Sequence, residues 1–330
     1  MKGLELARAF YNEYGAPMLE REFPELLPCL CVGLVGSGSE CYGYDDAVSQ
    51  DHDFEPGFCI FIPDESVTGE NWRPLVDSRA EFRLSRAYAA LPKEFCGYDR
   101  NLISPVGGSR HGVIRIGDFY KKTVGAADGV LEIRDWLSLP EYALAEAVNG
   151  EVFFDNYGAF SAIRESLRRY PRDIFLKKLA GYLLIMEQAG LYNYPRCLAH
   201  GETAAAQLAA GEFVRAAMHV IFLLNDTYMP FYKWSFRMLR SLPLLASLAL
   251  PLEDLLTTPN TTEKAAEKSA AVKSISIAVA EAVAAKGLAT DISDSSGSDA
   301  GPALTRLAYA VNDLISDPTI RTMNILCGVE

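Results

Sequence analysis

Two short runs in the first third of this chain carry residues that could do chemistry together. Val35-Gly36-Ser37 closes an apolar run, and Asp51-His52-Asp53-Phe54 opens the next extended segment. Glycine lets a backbone approach a phosphate with no Cβ in the way, and Ser37 adds a hydroxyl and an N–H where a helix is expected to begin, a place that favours anions. Asp51 and Asp53 stand two residues apart, so on a strand both project from one face. Paired hard oxygen ligands suit Mg²⁺ better than zinc. A cation held there, beside phosphates in the Gly-Ser turn, is the arrangement that phosphoryl and nucleotidyl transfer use.

The elements that must hold these residues can be read from periodicity and punctuation. Residues 2–27 read as an opening helix, with Leu4, Ala7, Phe10 and Tyr11 at helical spacing and Pro24 ending it. Residues 29–35 read as a strand running into the turn, and residues 39–47 as a short helix. Residues 51–62 form a second strand disturbed at Pro56, and residues 113–116 a third. A charged helix is expected over residues 72–91. Beyond residue 130 the pattern turns helical: residues 136–148, then 160–169, then a helix started by Pro171 with Phe175, Leu176, Leu179, Leu183 and Met186 in phase. Thr203 is placed to cap a helix that Asn225 ends, and further helices are expected over residues 231–242, 262–286 and 304–327. Residues 152–158 read as a small strand or turn. The expected fold is α+β: a mixed sheet with flanking helices over residues 1–129, followed by an α-helical bundle over residues 130–330.

Composition limits the partners. With 330 residues, two domains are expected, and 49% apolar residues supply real cores. The N-terminus lacks a signal-peptide layout and no run of 18 uncharged apolar residues occurs, so a cytoplasmic protein with no membrane partner is expected. The seven cysteines have no Cys-x-x-Cys pairing and are expected to be reduced and buried. A net charge of −12 argues against broad nucleic-acid binding. Residues 160–240 nevertheless hold 11 Lys and Arg against 6 Asp and Glu. That local excess suits an anionic substrate or one stem of a structured RNA, and equally a solvated helix surface.

The longer string Gly36-Ser37-Gly38-Ser39-Glu40-Cys41-Tyr42-Gly43-Tyr44-Asp45-Asp46, then Ser49 and Asp51-His52-Asp53-Phe54, resembles the DNA polymerase β-like nucleotidyltransferases. Within them it is similar to a bacterial branch catalogued as a domain of unknown function, related to the aminoglycoside nucleotidyltransferases. Leu223-Leu224-Asn225, Tyr228-Met229-Pro230 and Lys233-Trp234-Ser235-Phe236-Arg237 share that similarity. The resemblance implies a nucleotidyltransferase-like sheet domain and a reaction moving a nucleoside monophosphate from an NTP to a hydroxyl of a small-molecule or macromolecular acceptor. Mg²⁺ and the NTP would be the cofactors, with Asp51 and Asp53 as metal ligands and Gly36, Ser37 and Ser39 at the phosphates. The helical half would bind the acceptor.

In three places the chain departs from the family pattern it resembles, the first being Glu55-Pro56-Gly57, which interrupts what is there a continuous apolar strand after the second carboxylate. The family places a third carboxylate on a later strand, whereas residues 112–116 carry Arg115 in that place, and Asp118 just beyond is the nearest substitute. Arg115 itself offers a bidentate contact to a triphosphate. The middle of the Asp-x-Asp run is His52 where the family has an apolar residue, and on a strand it points away from both carboxylates. In Tyr228, Lys233 and Trp234, an aromatic face could stack a base and Lys233 could reach a phosphate, or the cluster could be core. His200 and His219 read as structural, and His111 as a residue of a loop or strand start. The alternative expectation is a catalytically inactive nucleotide-binding or regulatory protein on the same fold.

Overall fold

A computed structural model of the chain describes residues 1–46, 54–68, 77–100, 110–289 and 303–329. It is a mixed α/β protein with a small four-stranded mixed sheet, a two-stranded antiparallel ribbon and many helices. The helices begin with α1 (Gly3–Phe10), α2 (Ala16–Glu22), α3 (Glu65–Thr68), α4 (Ser78–Ala89), α5 (Ile116–Val124), α6 (Ile133–Ser138), α7 (Glu141–Val148) and α8 (Ala159–Ser166). They continue as α9 (Arg172–Met186), α10 (Tyr194–Ala199), α11 (Thr203–Leu224), α12 (Tyr232–Leu239), α13 (Ala249–Thr257), α14 (Thr262–Ala285), α15 (Leu304–Asp313) and α16 (Pro318–Thr322). The strands are β1 (Cys31–Leu34), β2 (Cys59–Ile62), β3 (Glu94–Phe95), β4 (Tyr98–Asp99), β5 (Gly112–Arg115) and β6 (Glu151–Asp155).

The chain divides into two compact units. The first is Met1–Leu131 with Ala143–Arg168, and the second is Glu132–Tyr142 with Arg169–Glu330. A single cut after residue 129 therefore does not describe the contacts, because the chain returns to the first unit and lays β6 against β1.

In the first unit the sheet order is β5-β2-β1-β6, with β1 antiparallel to β2 and β6, and β2 parallel to β5. All four residues of β1 and of β2 are buried. Such strands must be covered on both faces, which is why they read as unbroken apolar runs. Leu6, Phe10 and Leu19 from α1 and α2 share one core with Val32, Ile60, Leu84 and Tyr88. Elsewhere in the unit, Phe61 stacks on Phe160 at 4.3 Å and meets Phe119 edge-on at 5.4 Å.

Several boundaries differ from expectation, each for a local reason. The opening helix ends at Glu22 because Phe23 precedes Pro24 and leaves helical geometry. The helix expected over residues 39–47 is a single 3-10 turn, Glu40–Tyr42, closed by Gly43 at φ +69°. Strand β2 starts only at Cys59, after the Pro56-Gly57 interruption. Pro140 breaks the segment 136–148 into α6 and α7. Thr203 is the first residue of α11, with Glu202 before it, and Asn225 ends that helix. All seven cysteines are free, but only Cys29, Cys31, Cys41 and Cys59 are buried, and Cys96 is exposed. Burial pushes the Cys29 thiol up to about 11 and the Cys59 thiol up to about 12.

In the second unit, α9 packs against α11 and α15. Helix α11 is long and apolar enough to cross a membrane, yet 72% of that stretch is buried inside the structure. Lys177 and Lys178, part of the expected basic surface, are instead buried. The Lys177 ammonium donates to Asn312 Oδ1 at 3.0 Å and to the Met323 carbonyl at 2.7 Å, and Lys178 donates to the Gly328 carbonyl at 2.8 Å. Adjacent residues on α9 thus capture the closing segment at two places.

The same unit buries a carboxylate. Glu141 Oε1 lies 2.9 Å from His219 Nδ1, and its Oε2 accepts the Met229 N–H at 2.9 Å. The His219 ring stacks flat on Tyr182, with centroids 4.3 Å apart. Burial by itself would raise the Glu141 pKa, but His219, Lys178 and the Met229 N–H outweigh it and hold the carboxyl below its ordinary value. A group depressed in the folded state stabilises above its unfolded pKa of about 4.3 and loses that contribution as pH falls through the folded value. Glu141→Gln is therefore expected to cost about 3–5 kcal/mol at neutral pH, with the gap to wild type narrowing below about pH 4 in parallel urea titrations. An equal loss at every pH would assign the Glu141 contribution to shape instead of charge.

Candidate functional site

Strand β1 delivers the chain into a loop that reverses twice on glycines. Gly36 has φ +97° and Gly38 φ +121°, both in the region that side chains disfavour. Gly36 is buried, and its peptide is gripped by one side chain: Asn149 Oδ1 accepts its N–H at 2.8 Å and Asn149 Nδ2 donates to its carbonyl at 2.7 Å. The Gly36 N–H is therefore already satisfied and is not a phosphate donor. Ser37, between the glycines, is exposed, and its hydroxyl has no partner among the described residues. Ser39 leads into the Glu40–Tyr42 turn, and its carbonyl accepts the N–H groups of Tyr42 and Tyr44. Asp45, expected near the site, is 2% exposed and accepts the Gly3 N–H at 2.8 Å, so it fastens the start of α1.

Charged groups back this loop. The Arg110 guanidinium donates to the Ser37 carbonyl and pairs with the buried Glu40 carboxylate. A Cβ at Gly38 would overlap that guanidinium, so glycine there is set by close approach as well as by its dihedral. Glu146, one turn before Asn149, feels Arg110 and Lys122. Its burial outweighs those cations and holds its carboxyl above the ordinary value. Phe119 of α5 lies 3.4 Å from where a Gly36 Cβ would stand. The loop thus offers the Ser37 hydroxyl, without a partner among the described residues, on a backbone held by Asn149 and Arg110, with a half-buried carboxyl whose charge is felt by the same guanidinium.

The other residues singled out from sequence are scattered. Asp51 and Asp53 lie outside the described residues. Arg115 ends β5 and is committed elsewhere: its Nη2 donates to Glu81 Oε2 at 2.6 Å and its Nε to the same oxygen at 3.1 Å. Asp118 is exposed in the first turn of α5. The carboxylate that caps this helix is Asp64, whose Oδ2 accepts the Gly117 N–H at 2.8 Å. Lys233 belongs to the second unit, where its ammonium sits 4.4 Å over the Trp234 ring. Among the described residues no group of three or more His, Cys, Asp or Glu is arranged to hold a metal ion.

Two residues that position the loop, Asn149 and Arg110, and Glu146 beside them went unread in the sequence. Asn149-Gly150 signals only a turn, and the match between Asn149 and Gly36 is made 113 residues apart. Arg110 and Glu146 belong to no motif.

Residues 136–235 match the family model described as Domain of unknown function (DUF4037). No curated protein and no solved structure matches the chain.

The two-sided grip on Gly36 predicts an asymmetry between neighbours. Asn149→Ala, which strips both partners from a buried peptide, is expected to lower unfolding free energy by about 1–2 kcal/mol. Ser37→Ala should stay within about 0.5 kcal/mol of wild type, since it removes no contact. Denaturant titration of both variants checks this, and equal stabilities would show that the loop holds its shape without Asn149.

Proposed function

We propose that the first unit binds a nucleoside triphosphate in the Gly36–Ser39 loop and transfers its nucleoside monophosphate to an acceptor hydroxyl. The observation that carries this reading is the loop itself: two glycines at positive φ flank an exposed Ser37, whose hydroxyl has no partner among the described residues, at the end of a fully buried strand. Such a loop presents the Ser37 hydroxyl to an anion at a point fixed by the sheet. Asn149 and Arg110 hold it in place before any ligand arrives, which limits the ordering cost of binding. The resemblance in residues 36–54 supports the same reading, and assigns Asp51 and Asp53 as Mg²⁺ ligands. When bound, Mg²⁺ would neutralise charge on the phosphates. On this reading the helical unit recognises the acceptor.

One observation favours a second reading, a nucleotide-binding protein that does not turn over. Strand β5 bears no carboxylate, its Arg115 is occupied by Glu81, and Asp118 stands exposed on α5. The two readings share the binding step and differ only in chemistry.

Mg²⁺ with an NTP should raise the melting temperature of the wild-type protein, and Asp51→Asn combined with Asp53→Asn should abolish that shift. Ser37→Ala should weaken NTP binding by about 1 kcal/mol in calorimetry. An unchanged shift in the double aspartate variant would remove the proposed clamp. Pyrophosphate release from labelled NTPs in the presence of a metabolite and RNA pool separates the readings, because binding without release supports the second.

A further inference from the structure

The second unit contains a cavity of about 300 Å³ lined by its own residues. That volume sits at the lower end of the range for small-molecule sites, roughly 300–1,000 Å³. Part of its wall is apolar and aromatic. Leu223, Leu288 and Tyr228 are buried, and Tyr170 meets Tyr228 edge-on, with centroids 4.9 Å apart at 88°. Two perpendicular rings form an aromatic corner, a shape suited to a further flat group.

The charges on the same cavity are unbalanced. Asp226 and Lys286 pair with each other at 3.3 Å. Arg169 and Arg172 also line the cavity, are exposed, and have no ion-pair or hydrogen-bond partner among the described residues. In a chain of net charge −12, with carboxylates outnumbering cations 43 to 31, two free guanidiniums on one cavity are a selective feature. Arg172 also begins α9, a 15-residue helix, so the positive end of the helix dipole adds to their field. Guanidinium is the side-chain cation best matched to carboxylate and phosphate oxygens.

The aromatic corner is also held rigidly from behind. The Lys178 ammonium lies 5.3 Å over the Tyr170 ring, and Trp136 packs on Tyr170 edge-on at 5.8 Å. Glu141 takes the N–H of Met229, next to Tyr228, and Asn225 binds the Leu244 N–H and carbonyl through its side chain. Between these anchors Asp226 adopts φ +51°, a left-handed conformation in a non-glycine residue. Leu223, Asn225 and Tyr228 are residues that the sequence marks out and the nucleotide loop does not explain.

We infer that this cavity binds a small flat anion, a single aromatic or heteroaromatic ring carrying one carboxylate or phosphate. The ring lies in the Tyr170–Tyr228 corner and the anionic group is held by Arg169 and Arg172. The inference is independent of nucleotide binding by the first unit.

Calorimetry on the full-length protein with four probes tests it: phenyl phosphate, benzoate, phenol and inorganic phosphate. One or both of the ring anions should bind at least tenfold more tightly than phenol or inorganic phosphate, and the stronger of the two identifies the anionic group. Arg169→Gln combined with Arg172→Gln alters only exposed side chains, so the fold should survive, as circular dichroism would verify. That variant should lose at least tenfold in affinity for the preferred ring anion. Failure of both ring anions to bind at millimolar concentration would overturn the inference, as would undiminished binding by the double arginine variant.

Discussion

A charge taken out of water must be given partners, and the partners of a few buried charges organise the helical unit. Leaving such a group alone costs several kcal/mol, so the surrounding chain is obliged to arrive where it can bond. Lys177 and Lys178 draw the carbonyls of the closing segment onto α9. Lys268 does the same for Thr258 and Asn260, at 2.9 and 2.7 Å. Glu141 joins the start of α7 to α11 through His219 and to the loop after α11 through Met229. Burial lowers the pKa of both Lys177 and Lys268, the signature of ammonium groups bound to neutral oxygens instead of to carboxylates. These contacts specify where loops sit more than they add to stability, since apolar packing could fill the same volume.

The sheet unit solves the opposite problem. Its central strands are apolar on both faces, so they have no position from which a polar group could act. On the proposed reading chemistry falls to the loop that leaves β1, and side chains from elsewhere hold that loop in place. Asn149 and Arg110 do this from two directions, one satisfying the Gly36 peptide and the other the Ser37 carbonyl. The outcome is a fixed backbone on which the Ser37 side chain is exposed.

Much of the local structure was legible because it is punctuated locally. Pro171 precedes α9, Asn225 ends α11, and the unbroken runs at residues 29–35 and 58–62 mark buried strands. Boundaries slipped where a proline or glycine acted on one turn only, as at Pro140 and Gly43. What could not be read were pairings with no period. Asn149 with Gly36, Arg110 with Glu40, and Glu141 with His219 are each separated by 70 or more residues. Lys177 and Lys178 looked like surface because lysine is seldom fully buried, and nothing nearby announces the carbonyls that receive them. Strand β6 was visible as an extended stretch, but its place beside β1 depends on contacts far away in sequence.

The return of Ala143–Arg168 to the first unit has a consequence for how the molecule is made. As the chain emerges from the ribosome, β1, β2 and β5 are available early, yet the edge of the sheet beside β1 stays open until residues 151–155 are made. Residues 132–142 emerge before that edge closes, although their partners for packing, α9 and α11 among them, do not yet exist. The nascent chain must therefore carry a segment of the second unit, Trp136 and Glu141 included, through the completion of the first. The first unit is thus complete while residues 132–142 still await their partners, and cleavage at one peptide bond cannot separate the two units.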